Sequence, residues 1–108
     1  MNIRPATRAD LVAFYGHPPP MTLRALVAVD AEDRPLAVGG YYLKAGVAVA
    51  FSDHRVPIRR RDAVTWGRAL VALLRGLRMP VVARADDPAT TALRHFGFVP
   101  HGALWRLA

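Results

Sequence analysis

A chain of 108 residues that is 53% hydrophobic has room for one domain around one core and is too apolar for a disordered tail. Its formal net charge of +7 rests almost wholly on arginine, Lys44 being the only lysine, so it suits a polyanionic partner such as a nucleic acid or a phosphorylated small molecule, or equally an arginine-favouring composition with no partner behind it. The absence of cysteine excludes disulfides, a thiol nucleophile and thiolate metal sites, and His17, His54, His95 and His101 lack metal-ligand spacing.

Asn2-Ile3-Arg4-Pro5 reads as a short strand. Thr7 is placed to cap a helix running to about Tyr15, with Asp10 in the acidic position of a capping box and Leu11, Phe14 and Tyr15 on the apolar face. Gly16 ends that helix, and His17-Pro18-Pro19-Pro20 forbids its continuation. Residues Thr22 to Val29 form a strand, Asp30 to Pro35 a polar turn, and Leu36 to Leu43 a second strand interrupted by Gly39-Gly40. Lys44-Ala45-Gly46 closes a hairpin into Val47 to Phe51, whose unbroken apolar character predicts a central strand buried on both faces.

Trp66, Leu70, Leu73, Leu74 and Leu77 fall at helical spacing, predicting a helix from Asp62 or Ala63 to Arg78, stopped by Pro80. A short strand follows over Val81 to Ala85, then a helix from Pro88 to about His95, with Asp86-Asp87 at its cap and Gly97 past its end. Phe98-Val99-Pro100 is extended, His101-Gly102 turns, and Ala103 to Leu107 is a last strand. The expected fold is α/β (α+β): a mixed, mostly antiparallel sheet of about six strands flanked by helices, with a meander first and a crossover after it. No run reaches transmembrane length and the opening residues are not patterned as a signal peptide, so no membrane association and a cytoplasmic location are the expectation.

The stretch with the strongest chemical character is Arg59 to Leu70. A strand that passes through a basic loop into a helix start is a phosphate-binding arrangement: the first helix amides have no internal partner, and the helix dipole adds positive potential there. Arg55, Arg59, Arg60 and Arg61 precede the helix, and guanidinium matches phosphate geometry. The alternative is a solvated loop ahead of a core helix.

The element order and three motifs together resemble the GCN5-related N-acetyltransferase (GNAT) superfamily. Ile3-Arg4-Pro5-Ala6-Thr7-Arg8-Ala9-Asp10-Leu11 resembles its first strand and helix, Pro35 to Gly40 its central hairpin, and Asp87 to Gly102 its last helix and Gly-Phe strand. The shortness of the chain is similar to GNAT-like proteins of bacteriophages and prophages. The resemblance implies acetyl-CoA bound where the strand before the long helix splays from its neighbour, with pyrophosphate held at the helix start. It draws Phe51, Ser52, Arg59, Arg60, Arg61, Ala63, Val64, Thr65 and Gly67 into the cofactor site. The family signature Arg/Gln-x-x-Gly-x-Gly/Ala is degenerate here: aligned on Gly67, its glycines fall on Ala63 and Thr65 and its arginine on Asp62.

Acyl transfer to an amine needs a neutral nitrogen, a polarised thioester carbonyl and a proton for the departing thiolate. The family tyrosine that often supplies the proton is replaced by Leu93, leaving His95 and Ser52 as candidates, and Asp53 and His54 as candidate bases on the amine. Each has a plainer reading: His95 as a helix-end residue, Asp53 as the partner of a nearby arginine. One of Tyr41 and Tyr42 should face each side of the sheet, and His17 with its prolines could border an acceptor entrance. The expected function is N-acyltransfer from acetyl-CoA to an unidentified amine. The alternatives are a GNAT-shaped, phage-related binding or structural component without catalysis and, behind it, a nucleic-acid binder. Unpaired edge strands leave room for a homodimer.

Overall fold

The computed structural model describes residues 1–84 and 92–108. Its elements run β1 (Asn2–Pro5), α1 (Arg8–Tyr15), β2 (Arg24–Val29), β3 (Pro35–Lys44), β4 (Val47–His54), α2 (Arg60–Arg75), β5 (Val81–Ala83), β6 (Phe98–His101) and β7 (Leu104–Leu107). Residues 92–95 are also helical. The strands form one mixed sheet in the order β1-β2-β3-β4-β5-β7-β6. Every neighbouring pair is antiparallel except β4–β5, which is parallel and is spanned by α2.

Local chemistry explains the first half. The Thr7 hydroxyl accepts from the Asp10 amide at 3.2 Å while the Asp10 carboxylate accepts from the Thr7 amide at 2.8 Å, closing the capping box that starts α1. Gly16 ends the helix in the left-handed conformation at φ 81°, which its missing Cβ permits. Leu11, Val27, Val29 and Val38 are buried between α1 and one sheet face. On the opposite face α2 covers both halves of the sheet. Trp66 is buried with Ala28 and Ala37, and Leu74 with Ala48, Val81, Ala83 and Phe98.

Several boundaries differ from the sequence expectation. Gly39-Gly40 does not interrupt β3, which pairs with β4 from Ala37 to Lys44. A Cβ at Gly39 would press on Trp66 and Leu70, and one at Gly40 would collide with the Arg24 carbonyl, so glycine here admits close approach on both faces. β4 runs on past Phe51 to His54 because Ser52, Asp53 and His54 pair with Gly39, Val38 and Ala37. Polar residues are tolerated there because all three are exposed. α2 starts at Arg60 and ends at Arg75, earlier than expected at both ends, with Gly76 as its C-cap and Pro80 close behind. The sheet has seven strands rather than six because Phe98 to His101 pairs with β7. The intervening turn falls on Gly102-Ala103, one residue later than expected. β5 ends at Ala83, and the expected cap Asp86-Asp87 and helix start at Pro88 lie outside the described residues.

Candidate functional site

The site is built around the far end of β4. Its backbone pairs with β5 only at Ala48↔Val81, Val49↔Val82 and Ala50↔Ala83. Beyond Ala50, β4 continues alongside β3, yet among the described residues Phe51 to His54 have no partner on the β5 side. The described β4–β5 pairing therefore ends at Ala50↔Ala83, while β4 runs on beside β3 toward the loop ahead of α2.

Strand alternation sends these residues to opposite faces. Ser52 and His54 lie on the α2 face. The Trp66 Nε1–H can only donate, and it does so to Ser52 Oγ at 3.0 Å; Ser52 Oγ is also 3.0 Å from His54 Nε2. A neutral His54 with a free Nε2 lone pair would receive the Ser52 hydroxyl proton in that second bond. Desolvation lowers the His54 imidazole from its ordinary value, opposed by the Asp53 charge next to it. The edge of the His54 ring meets Trp66 at 6.5 Å between centroids. These three side chains form a connected polar chain at the end of β4, with the indole fixing the serine.

Asp53 points to the α1 face, so it shares no surface with His54. It accepts a 2.6 Å hydrogen bond from the Tyr15 hydroxyl rather than pairing with an arginine. Burial first and the Asp53 carboxylate second push the Tyr15 hydroxyl up, so it stays a donor. Asp53 and Tyr15 border a cleft of about 230 Å³ whose remaining walls include His17, Pro19, Tyr42 and Phe51. Tyr42 thus faces the cleft, while Tyr41 packs against the Leu74 cluster on the other side.

At the start of α2, Arg59 occupies the N-cap position without any side-chain cap. The Ala63 amide is bonded to the Arg59 carbonyl at 2.8 Å, and the three amides before it, of Arg60, Arg61 and Asp62, have no side-chain acceptor among the described residues. Arg59, Arg60 and Arg61 are exposed and form no ion pair among the described residues. Asp62 sits in this first helical turn, where its charge opposes an anion unless it is turned away. Ala63 and Val64 are half-buried, and the exposed Thr65 donates to the Arg61 carbonyl at 3.3 Å.

Two residues of the basic and glycine pattern serve packing instead. Arg55 donates to the carbonyls of Ala13 and Phe14 at 2.8 and 2.7 Å and lies over the Phe14 ring, so it caps the C-terminus of α1 rather than joining the anion-facing group. Gly67 is buried beneath the Phe96 ring, which a Cβ there would strike, so its smallness serves this contact. His95 stacks edge-on with Phe96 at 4.9 Å and shares no hydrogen bond with Ser52, Asp53 or His54. Leu93 packs against the Leu74 cluster.

Sequence reasoning missed the Tyr15–Asp53 bond, the Trp66–Ser52 bond and the Arg55 cap. Each joins residues at least 14 positions apart, which no local spacing reports. Among the described residues no group of histidine and carboxylate side chains is placed to hold a metal, and no helix is long and apolar enough to cross a membrane. Neither a family model nor a curated protein matches this chain.

Proposed function

We propose that the protein is an acyl-CoA-dependent N-acyltransferase of the GNAT type, moving an acetyl group to an amine acceptor. The observation that carries this reading is that the described β4–β5 pairing stops at Ala50↔Ala83 while β4 runs on toward α2, which is where a gap between the two strands would lie. In the resembling family that gap takes the pantetheine arm. The unpartnered amides of Arg60, Arg61 and Asp62, with the exposed guanidinium groups of Arg59 to Arg61, suit a pyrophosphate by charge and by donor count. Bound there, acetyl-CoA would supply the activated acyl group.

The chain's own residues then have separate tasks on the two faces. Asp53, on the α1 face, accepts a hydrogen bond from the incoming ammonium and takes its proton, leaving a neutral nucleophile. Ser52, held by Trp66 and in contact with His54, lies on the α2 face; with the His54 ring protonated at Nε2 and donating to Ser52 Oγ, the serine hydroxyl would be free to protonate the departing sulfur, and His54 would return a proton to the serine. The nitrogen gives up two protons, one to Asp53 before attack and one to solvent as the amide forms; solvent reprotonates His54 after one proton has passed to the thiol, so one proton is released overall.

A second reading, a GNAT-shaped binding or structural component of phage-related type, has its own support. Leu93 stands in the core where the family tyrosine would be, and Asp62 opposes phosphate at the helix start. Titration calorimetry with acetyl-CoA separates the two. The transferase reading expects saturable binding that weakens at least tenfold when Arg59, Arg60 and Arg61 are all replaced by alanine, since three charge-assisted contacts are lost. No heat and no thermal shift with acetyl-CoA would leave the structural component. Steeply salt-dependent binding of duplex DNA with indifference to acetyl-CoA would favour a nucleic-acid surface instead.

A further inference from the structure

The cleft on the α1 face has a composition that selects one kind of ligand. Among the described residues that border it, Asp53 is the only carboxylate, and the surrounding surface is apolar and aromatic: Tyr15, Tyr42, Phe51, Met21 and Leu23. The Tyr15 hydroxyl bonds Asp53 Oδ2 and fixes the carboxylate; Oδ1 has no hydrogen-bond partner among the described residues. The Tyr42 and Phe51 rings form a tilted pair, 6.5 Å between centroids with 37° between their planes, and together they make a continuous aromatic wall of the cleft. The His17 Nδ1–H donates to the Pro18 carbonyl at 3.0 Å, which leaves Nε2 as the acceptor of the neutral ring.

A fixed carboxylate beside aromatic faces attracts a cation twice, by direct charge and by the ring quadrupoles. The apolar walls offer nothing to a ligand charged along its whole length, and their burial favours a hydrophobic body. The cleft, at about 230 Å³, suits a ligand on the scale of a single ring with a short arm. It also stands out against the molecule's net charge of +7, which repels cations in general, so a cation held here is held by this local arrangement.

We infer that this cleft binds a primary amine carrying a flat apolar body, an arylalkylamine in chemical class, with its ammonium on Asp53 and its body against the wall formed by Tyr42 and Phe51. The inference rests on the transferase reading only in naming that amine as the acyl acceptor; amine binding itself does not depend on acetyl-CoA. In that role the amine enters from the α1 face, opposite the α2 side on which Ser52 and His54 lie.

The test is calorimetric titration of the full chain, without acetyl-CoA and at low ionic strength, using 2-phenylethylamine, 2-phenylethanol and 1,4-diaminobutane as probes. 2-Phenylethylamine should bind about tenfold or more tightly than 2-phenylethanol, which lacks the charge, and than 1,4-diaminobutane, which lacks the apolar body. Asp53→Asn, which keeps the Tyr15 bond and the shape, should abolish the preference for amine over alcohol, while Tyr42→Ala should weaken both aryl ligands. Equal affinities for amine and alcohol, a diamine that binds as well as the arylalkylamine, or no saturable binding of any probe would overturn the inference. Loss of acetyl-CoA binding alone would strike the transferase reading and leave this one standing.

Discussion

Asp10 shows how much one side chain can organise. It is buried, yet both carboxylate oxygens are engaged: Arg4 donates to them at 2.6 and 2.9 Å, and the Thr7 amide and hydroxyl at 2.8 and 3.0 Å. The same carboxylate thus starts α1 and ties β1 to it. The Arg4 hydrogen bonds dominate and hold the Asp10 carboxyl at about 2, below its ordinary 3.8. Because the folded value is the lower one, the associated stability is fully present above about pH 4 and is lost as pH falls toward 2. Asp10→Asn removes the charge and one reciprocal cap bond, and should lower stability by about 1–2 kcal/mol at pH 7. Urea denaturation at pH 7 and near pH 2.5 checks this: the gap between wild type and variant should narrow at the acid end. A gap of unchanged size would mean that the protonated acid does as well as the carboxylate.

At the scale of elements, the β3–β4 hairpin carries a visible strain. Its two turn residues, Ala45 and Gly46, have φ of 53° and 80°. That is the type I′ geometry whose twist suits a hairpin, and glycine meets it at the second position without penalty. Ala45 pays for a left-handed conformation that asparagine tolerates better. Ala45→Asn should therefore stabilise the protein by about 0.5–1 kcal/mol, read as an upward shift of the thermal midpoint by a few degrees. Midpoints that coincide would show that the turn relaxes elsewhere. The hairpin, like the Thr7–Asp10 box and the Gly16 cap, was legible because neighbouring residues alone specify it. The site is legible in part: Ser52, Asp53 and His54 stand out as candidates, but ending the strand at Phe51 hides the alternation that sends them to different faces. The packing roles of Arg55 and Gly67 are not legible in the sequence because each is set by a distant partner, the α1 carbonyls and the Phe96 ring. Phe98 to Pro100 looked merely extended since its pairing depends on where β7 folds back.

Taken whole, the molecule is two antiparallel blocks, β1 to β4 and β5 to β7, joined through the sheet by the three register pairs of the β4–β5 seam. By contrast, β3 and β4 are paired over eight residues. The helix α2 is the other tie. Trp66 and Leu70 grip the first block, and Leu74 packs on Val81, Ala83 and Phe98 of the second. Arg75 reinforces that end by donating to the Ala108 carbonyl at 2.9 Å. A parallel seam described over only three register pairs is a natural place for the fold to open below its global unfolding free energy, since local opening follows sparse hydrogen bonding and packing. It is also where an acyl-CoA would enter under the proposed function. Native-state hydrogen exchange should therefore find the amides of β5 and β7 opening at a lower free energy than those of β2 and β3. Leu74→Ala, which should cost about 2–5 kcal/mol, should reduce protection of β5 and β7 more than that of β2 and β3, because Leu74 grips the second block. If both blocks open at one common free energy in wild type and variant alike, the seam is no weaker than the rest of the sheet, and an entrance there would need a motion other than separation of the two blocks.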